Sequence, residues 1–242
     1  TDMMKKILIT AVVLSAALYG LWQLSSARSF QLFGELVQRV ETDDKVVALT
    51  FDDGPSKRFT DEVLEILAAE QVTATFFVTG KEAEQNPDEV RQLYQAGHQL
   101  GNHSFSHPRM LFMSQATIAS ELERTDAAIR AAGYQGDILF RPPYGKKLLM
   151  LPRYLAKHNR TTIMWDLEPE TDPKLAKNAQ AMADYVINNA RPGSIVLLHV
   201  MYQSRQTSRE ALPLILKGLK QQGYRFVTVN ELLAVSPLVN PA

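Results

Sequence analysis

From residue 45 onward the chain alternates short apolar runs with amphipathic stretches, and that alternation restricts it to βα units arranged around a parallel sheet. The runs Val46 to Phe51, Thr73 to Val78, Ile138 to Phe140, Thr162 to Trp165, Ile195 to Leu198 and Phe226 to Val229 read as strands, with a weaker one near Gln99. Between them, Thr60 is expected to cap a helix carrying Val63, Leu64, Ile66 and Leu67 on one face, and Pro87 with Asp88 and Glu89 opens another that Gly97 closes. Ser114 to Ala132, Ala176 to Ala190 and Ser208 to Gln222 supply three more, the last with an interior Pro213 expected to bend it. The residues that end the strands are polar: Asp52-Asp53, His103, Arg141, Asp166 and His199. In a parallel barrel or open α/β sheet those ends share one face, where such folds place their sites.

Composition narrows the chemistry. The 242 residues contain no cysteine, which excludes disulfide frameworks, thiolate zinc sites and cysteine nucleophiles, so any metal must bind through His, Asp or Glu. The 26 Lys+Arg balance the 26 Asp+Glu. Asp2, Lys5, Lys6 and Arg28 sum to +2 before residue 31, leaving −2 on the remainder, and no basic patch invites nucleic acid.

Ahead of the alternation, Lys5 and Lys6 precede Ile7 to Leu24, eighteen residues without a charge. Positive charge before such a run holds that end in the cytoplasm while the rest is exported. The run is at the lower limit for a membrane span and long for a signal peptide, although Ser25-Ser26-Ala27 would make an acceptable cleavage site. The expected organisation is an anchor or signal segment over 1–30, a linker over 31–44, one α/β domain over 45–235 and a tail over 236–242.

Each polar cluster has a bland and a chemical reading. Asp52-Asp53-Gly54-Pro55 is good turn chemistry. It is also two carboxylates after a strand, one able to bind a metal while its neighbour stays free as a base. His103 and His107, four apart, are surface or capping histidines, or two ligands aimed the same way from an irregular or helical turn. Two His and one Asp would leave positions on a metal open for water and substrate. Arg141 in Arg141-Pro142-Pro143-Tyr144-Gly145 is a surface ion pair beside a proline loop, or a cation that orients Asp52 while the turn presents a backbone N–H to an oxyanion. His199 is a hydrogen-bonded core histidine or a functional one; His98 and His158 read as structural.

Taken together, Thr50-Phe51-Asp52-Asp53-Gly54-Pro55, His103-Ser104-Phe105-Ser106-His107, Arg141-Pro142-Pro143-Tyr144-Gly145 and Leu197-Leu198-His199 resemble the motifs of the polysaccharide deacetylase family, the NodB homology domain or carbohydrate esterase family 4. The resemblance spans roughly residues 45 to 235. It implies a distorted (β/α) barrel of the NodB type behind the N-terminal apolar helix, and a divalent metal, Zn²⁺ first with Co²⁺ or Ni²⁺ as alternatives, held by Asp53, His103 and His107. It further implies Asp52 as general base tuned by Arg141, Tyr144 giving an oxyanion N–H, Leu197 lining the acetyl pocket and His199 as general acid. One motif departs. Where the family places an Asp-Trp pair whose Asp supports the acid histidine, this chain reads Trp165-Asp166-Leu167-Glu168-Pro169-Glu170-Thr171-Asp172. Glu170 is the expected substitute, with Glu168 as the alternative.

The function implied is removal of N-acetyl groups from N-acetylglucosamine units of a cell-wall or chitin-type polysaccharide, outside the cytoplasmic membrane. The expected partners are that saccharide and the membrane through the N-terminal segment, with no nucleic acid and no protein partner. An O-acetyl (acetylxylan-type) esterase would use the same residues, and a non-catalytic sugar-binding envelope module is the alternative outside the enzymes.

Overall fold

The computed structural model describes residues 2–235. The expected tail, 236–242, lies outside them.

Seven strands are present among the described residues: β1 Leu36–Val37, β2 Val46–Asp52, β3 Thr75–Val78, β4 Gln99–Asn102, β5 Thr162–Ile163, β6 Ser194–His199 and β7 Arg225–Val227. Every ladder between them is parallel, and β2 is the hub, pairing β3 along Thr50 to Asp52, β7 along Val46 to Ala48, and β6 along its other edge. Beyond β3 comes β4, then Phe140 bridging Asn102 to Thr162, then β5 with β1, and Leu167 bridges back to Val196 of β6. The circuit is a distorted barrel. Because strand side chains alternate, β2 divides cleanly. Val47, Leu49 and Phe51 face the helices, whereas Val46 and Ala48 pack with Phe77, Ile163, Trp165, Ile195 and Leu197 inside. The same alternation sends Thr50 and Asp52 inward at the carboxyl end.

The helices are α1 Asp2–Ser26, α2 Thr60–Ala69, α3 Gly80–Gln85, α4 Pro87–Gln95, α5 Gln115–Ala131, α6 Met150–Lys157, α7 Ala179–Asn189, α8 Gln206–Gln221 and α9 Val229–Ala234. Ser114 caps α5 by accepting from the Thr117 amide at 3.0 Å, and α4 opens on Pro87 as expected. Thr60 differs. It is the first residue of α2, makes no cap bond, and its hydroxyl instead accepts from the Ser56 amide.

Two departures shape the site. The stretch expected as a strand at Ile138 to Phe140 contributes only Phe140, because Pro142 and Pro143 immediately downstream have no N–H to extend a ladder. Within the stretch expected as linker, Leu36–Val37 pairs with β5 and the Val40 amide donates to the Gly193 carbonyl at 3.0 Å. A two-residue strand is too short to leave an alternation that sequence could reveal.

Candidate active site

The barrel mouth is where β2 and β6 end side by side. Their register pairs Thr50 with Leu197 and Asp52 with His199, so the carboxylate and the imidazole project into one space. Beneath them Arg141 is wholly buried. Its Nη1 donates to Asp52 Oδ1 at 2.7 Å and to the Thr50 hydroxyl at 2.8 Å, its Nη2 and Nε donate to the Met164 and Ile163 carbonyls, and its guanidinium lies 4.2 Å from the centre of the Phe77 ring. With every polar edge engaged, Arg141 is a fixed cation rather than a surface ion pair. Burial alone would push the Asp52 carboxyl up, but Arg141, with His103 and His199, outweighs it and holds the group below the usual carboxylate range.

Asp53 turns away from its neighbour. Its φ of 74° is left-handed, and its amide donates to the Phe77 carbonyl at 3.1 Å, which swings its side chain toward the loop after β4. Glu82 braces this turn, accepting from the Gly54 amide, the Thr79 hydroxyl and the Tyr202 hydroxyl. His103 Nδ1 donates to the Arg141 carbonyl at 2.8 Å, which turns Nε2 toward Asp52 and Asp53. His107 Nε2 is 3.4 Å from Asp53 Oδ1. One donor atom each from Asp53, His103 and His107 falls within 4.8 Å of the others. The turn between the histidines is irregular rather than helical, with left-handed Ser104 and His107. Glu121 fixes it by accepting from the Phe105 and Ser106 amides and the Ser106 hydroxyl. Burial, with the neighbouring His103, pushes the His107 imidazole down from its ordinary value.

The His199 side has the opposite electrostatics. His199 Nδ1 is 2.5 Å from Glu170 Oε2, and Glu170 also accepts from the His199 amide at 3.0 Å and from the Ser208 hydroxyl. Burial would lower the His199 pKa, but the hydrogen bond and charge of Glu170, with Asp52 and Asp53, raise it. Burial likewise pushes Glu170 up, and its bond to His199 more than reverses that. Glu168 lies elsewhere: it accepts from Trp165 Nε1 at 2.8 Å and Arg28 Nη2 at 2.7 Å. Neither glutamate is a solvated loop charge, their side chains being 11% and 4% exposed at positions 168 and 170.

A cavity of about 560 Å³ opens over these groups, lined by Asp52, Asp53, His103, His107, Tyr144, Leu197 and His199. Tyr144 is left-handed at φ 57°, and its amide bonds no group among the described residues. Asp166 is a correction to the expected convergence of strand-end residues: it binds the Ser194 hydroxyl and the Ile195 amide at the start of β6, away from the mouth. His98 and His158 are bound to main chain, His98 accepting from the Ala74 amide, with burial pushing it down to about 4. Sequence reasoning did not find Ser26, Arg28 and Arg205, which line the cavity, nor the braces Glu82, Glu121 and Ser208. Those contacts join distant segments and leave no local pattern.

A parallel barrel with a carboxylate whose pKa is lowered, an imidazole whose pKa is raised and three converging His and Asp donors at one mouth is the arrangement that hydrolysis of amide or ester bonds requires. The profile of the polysaccharide deacetylase family matches residues 39–163, and the chain belongs to that family. It is 32% identical over 200 residues to a peptidoglycan-N-acetylglucosamine deacetylase of Bacillus cereus, covering 83% of this chain and 93% of that one. It is 33% identical over 199 residues to a peptidoglycan-N-acetylmuramic acid deacetylase of Bacillus subtilis, covering 79% and 73%. The crystal structure of a peptidoglycan N-acetylglucosamine deacetylase superimposes with a TM-score of 0.77 at 31% identity, over 82% of this chain and 92% of that one. A carbohydrate esterase family 4 pseudoenzyme from Bacillus anthracis also superimposes, with a TM-score of 0.74 at 30% identity over 83% and 69%. The fold alone therefore does not carry the activity; the side chains at the mouth must.

Proposed function

We propose that this enzyme removes N-acetyl groups from N-acetylglucosamine units of a cell-wall polysaccharide of the peptidoglycan type, on the outer side of the cytoplasmic membrane. The observation that carries the reading is the facing pair Asp52 and His199, the first with its pKa lowered beside Arg141 and the second with its pKa raised beside Glu170, next to a three-donor cluster.

The residues fit a divalent cation. Two imidazole nitrogens and one carboxylate oxygen converge, and His103 Nδ1 is engaged by a carbonyl so that Nε2 faces the cluster, a donor set suited to zinc. A divalent cation held by Asp53, His103 and His107 would polarise the acetyl carbonyl and lower the pKa of water. Asp52, kept ionised by Arg141, takes a proton from the attacking water. The Tyr144 amide donates to the oxygen that becomes negative as the carbonyl carbon turns tetrahedral. An amine is a poor leaving group, so His199 donates a proton to the departing nitrogen, and Glu170 keeps that proton in place. Leu197 gives the acetyl methyl an apolar wall.

Lys5 and Lys6 ahead of the apolar α1 support a catalytic domain outside the cytoplasmic membrane with α1 as its anchor. Acetate release should be assayed on N-acetylglucosamine oligomers, peptidoglycan fragments and acetylxylan with added zinc or cobalt. Release from the N-acetyl substrates supports the reading; release from acetylxylan alone makes the protein an O-acetyl esterase.

A further inference from the structure

The last turn of α1 is held down on the catalytic domain. Ser25 is buried, the Lys147 amide donates to its carbonyl at 2.9 Å, and the Lys147 ammonium donates to the Ala27 carbonyl. The Lys146 ammonium donates to the hydroxyls of Ser25 and Ser26 and lies 3.4 Å from the centre of the Trp22 ring. A helix C-terminus has carbonyls without helical partners and a partial negative charge, and these lysines answer both. Burial costs them: desolvation, with the neighbouring Lys146 charge, pushes the Lys147 ammonium down to about 8. Lysine is rarely buried unless paired, and the hydrogen-bond partners of both ammonium groups lie at the end of α1 and just beyond it.

One residue beyond Ala27, Arg28 donates through Nη2 to Glu168 and lies 5.0 Å over the Trp165 ring that Glu168 also holds. Its other guanidinium nitrogens bond nothing among the described residues. Ser26 and Arg28 line the same cavity as Asp52, Asp53 and His199.

We infer that Ser25 to Arg28 forms a wall of the active-site cavity, that α1 stays attached in the working enzyme, and that Arg28 is a substrate-positioning residue donating to oxygens of the bound sugar. The inference rests on the deacetylase reading of the cavity. Glu168 already balances the charge of Arg28, so recognition runs through the directional N–H groups of a planar fork toward neutral sugar oxygens, not through net charge. Cleavage after Ala27 would remove the partners of Lys146 and Lys147 and free the chain that carries Arg28. The cavity also sits within a few residues of the end of an apolar helix, so the glycan it takes must be reachable at the membrane surface.

The test uses the full chain in detergent micelles. Arg28→Gln should lower kcat/KM on N-acetylglucosamine oligomers about 10-fold or more, chiefly through KM, the worth of one charge-assisted hydrogen bond. Bound metal should stay unchanged, and Arg28→Lys should recover part of the loss. A parent-like KM in Arg28→Gln overturns the role. A second measurement does not depend on acetate release. Ser25→Cys would be the sole thiol of a chain without cysteine, and it should react with a maleimide about 10-fold or more slowly than Leu32→Cys, which stands at a site 43% exposed. Adding Lys147→Met should remove that protection. Equal rates for the two thiols in the parent background overturn the docked wall. If the parent releases no acetate while Ser25→Cys remains protected, the deacetylase reading fails and the docked wall stands.

Discussion

Replacing Glu170 by Gln removes the charge next to His199 while keeping a side chain of the same shape. In the parent the carboxylate lies 2.5 Å from His199 Nδ1 and also accepts the His199 amide and the Ser208 hydroxyl, so the amide oxygen of Gln can preserve geometry but not charge. A hydrogen bond to a charged partner is worth about 1.5–3 kcal/mol. At about 1.4 kcal/mol per pKa unit, losing it should drop the His199 pKa by about 1–2 units. His199 acts in its protonated form, so activity falls as pH rises through its pKa, and a lower pKa moves the alkaline limb of the kcat/KM profile down by that amount. The acid limb, set by Asp52, should stay in place. The assay is acetate release across pH by parent, Glu170→Gln and Glu168→Gln. Glu168 is held by Trp165 and Arg28, so its substitution should move the alkaline limb less than half as far. An unmoved limb in Glu170→Gln, or an equal shift in Glu168→Gln, would refute the assignment.

Asp53→Ala should lose bound zinc, whereas Asp52→Asn should keep it and lose activity by about 10²-fold or more, the worth of a positioned base; equal metal loss in both, measured by elemental analysis, contradicts the division between the two aspartates. Arg141→Met strips a buried carboxylate of its cation and should cost about 3–5 kcal/mol of stability in denaturant titration. Where the variant folds, the Asp52 pKa rises and the acid limb of kcat/KM moves up in pH; an unchanged limb sinks the tuning role. Treatment with a strong chelator should abolish acetate release and added zinc or cobalt restore it, while full activity in chelator rules out metal dependence. A reporter active only in the cytoplasm, fused after residue 242, should be silent, and a positive signal reverses the topology.

Much of this site is legible in the sequence because the fold itself gathers it. Once Val46 to Phe51 and Ile195 to Leu198 are read as parallel strands, Asp52 and His199 must emerge at the same mouth, and Arg141, one residue past the bridging Phe140, meets Asp52 there at 2.7 Å. The strand-end rule also misleads. Asp166 ends an apolar run yet turns back to cap the start of β6, because the chain from Thr162 to Leu167 forms a ladder only at Thr162–Ile163 and rejoins the barrel through Leu167. Glu170 could be named from chemical need, but not separated from Glu168 without seeing Trp165 and Arg28 claim the latter. The entry strand Leu36–Val37 and the contribution of Arg28 to the cavity are invisible locally. Both depend on partners more than a hundred residues away, Thr162 and Ile163 for the strand and Glu168 for the arginine.

The decisive measurement is product stoichiometry on a peptidoglycan-derived N-acetylglucosamine oligomer, made with zinc-loaded parent and zinc-loaded Asp52→Asn side by side. The parent should release one acetate for each new free amine, and Asp52→Asn should release neither above background. Zinc-loaded, folded parent that yields no amine, or an Asp52→Asn variant that yields as much as the parent, would contradict a deacetylase built on Asp52 and His199.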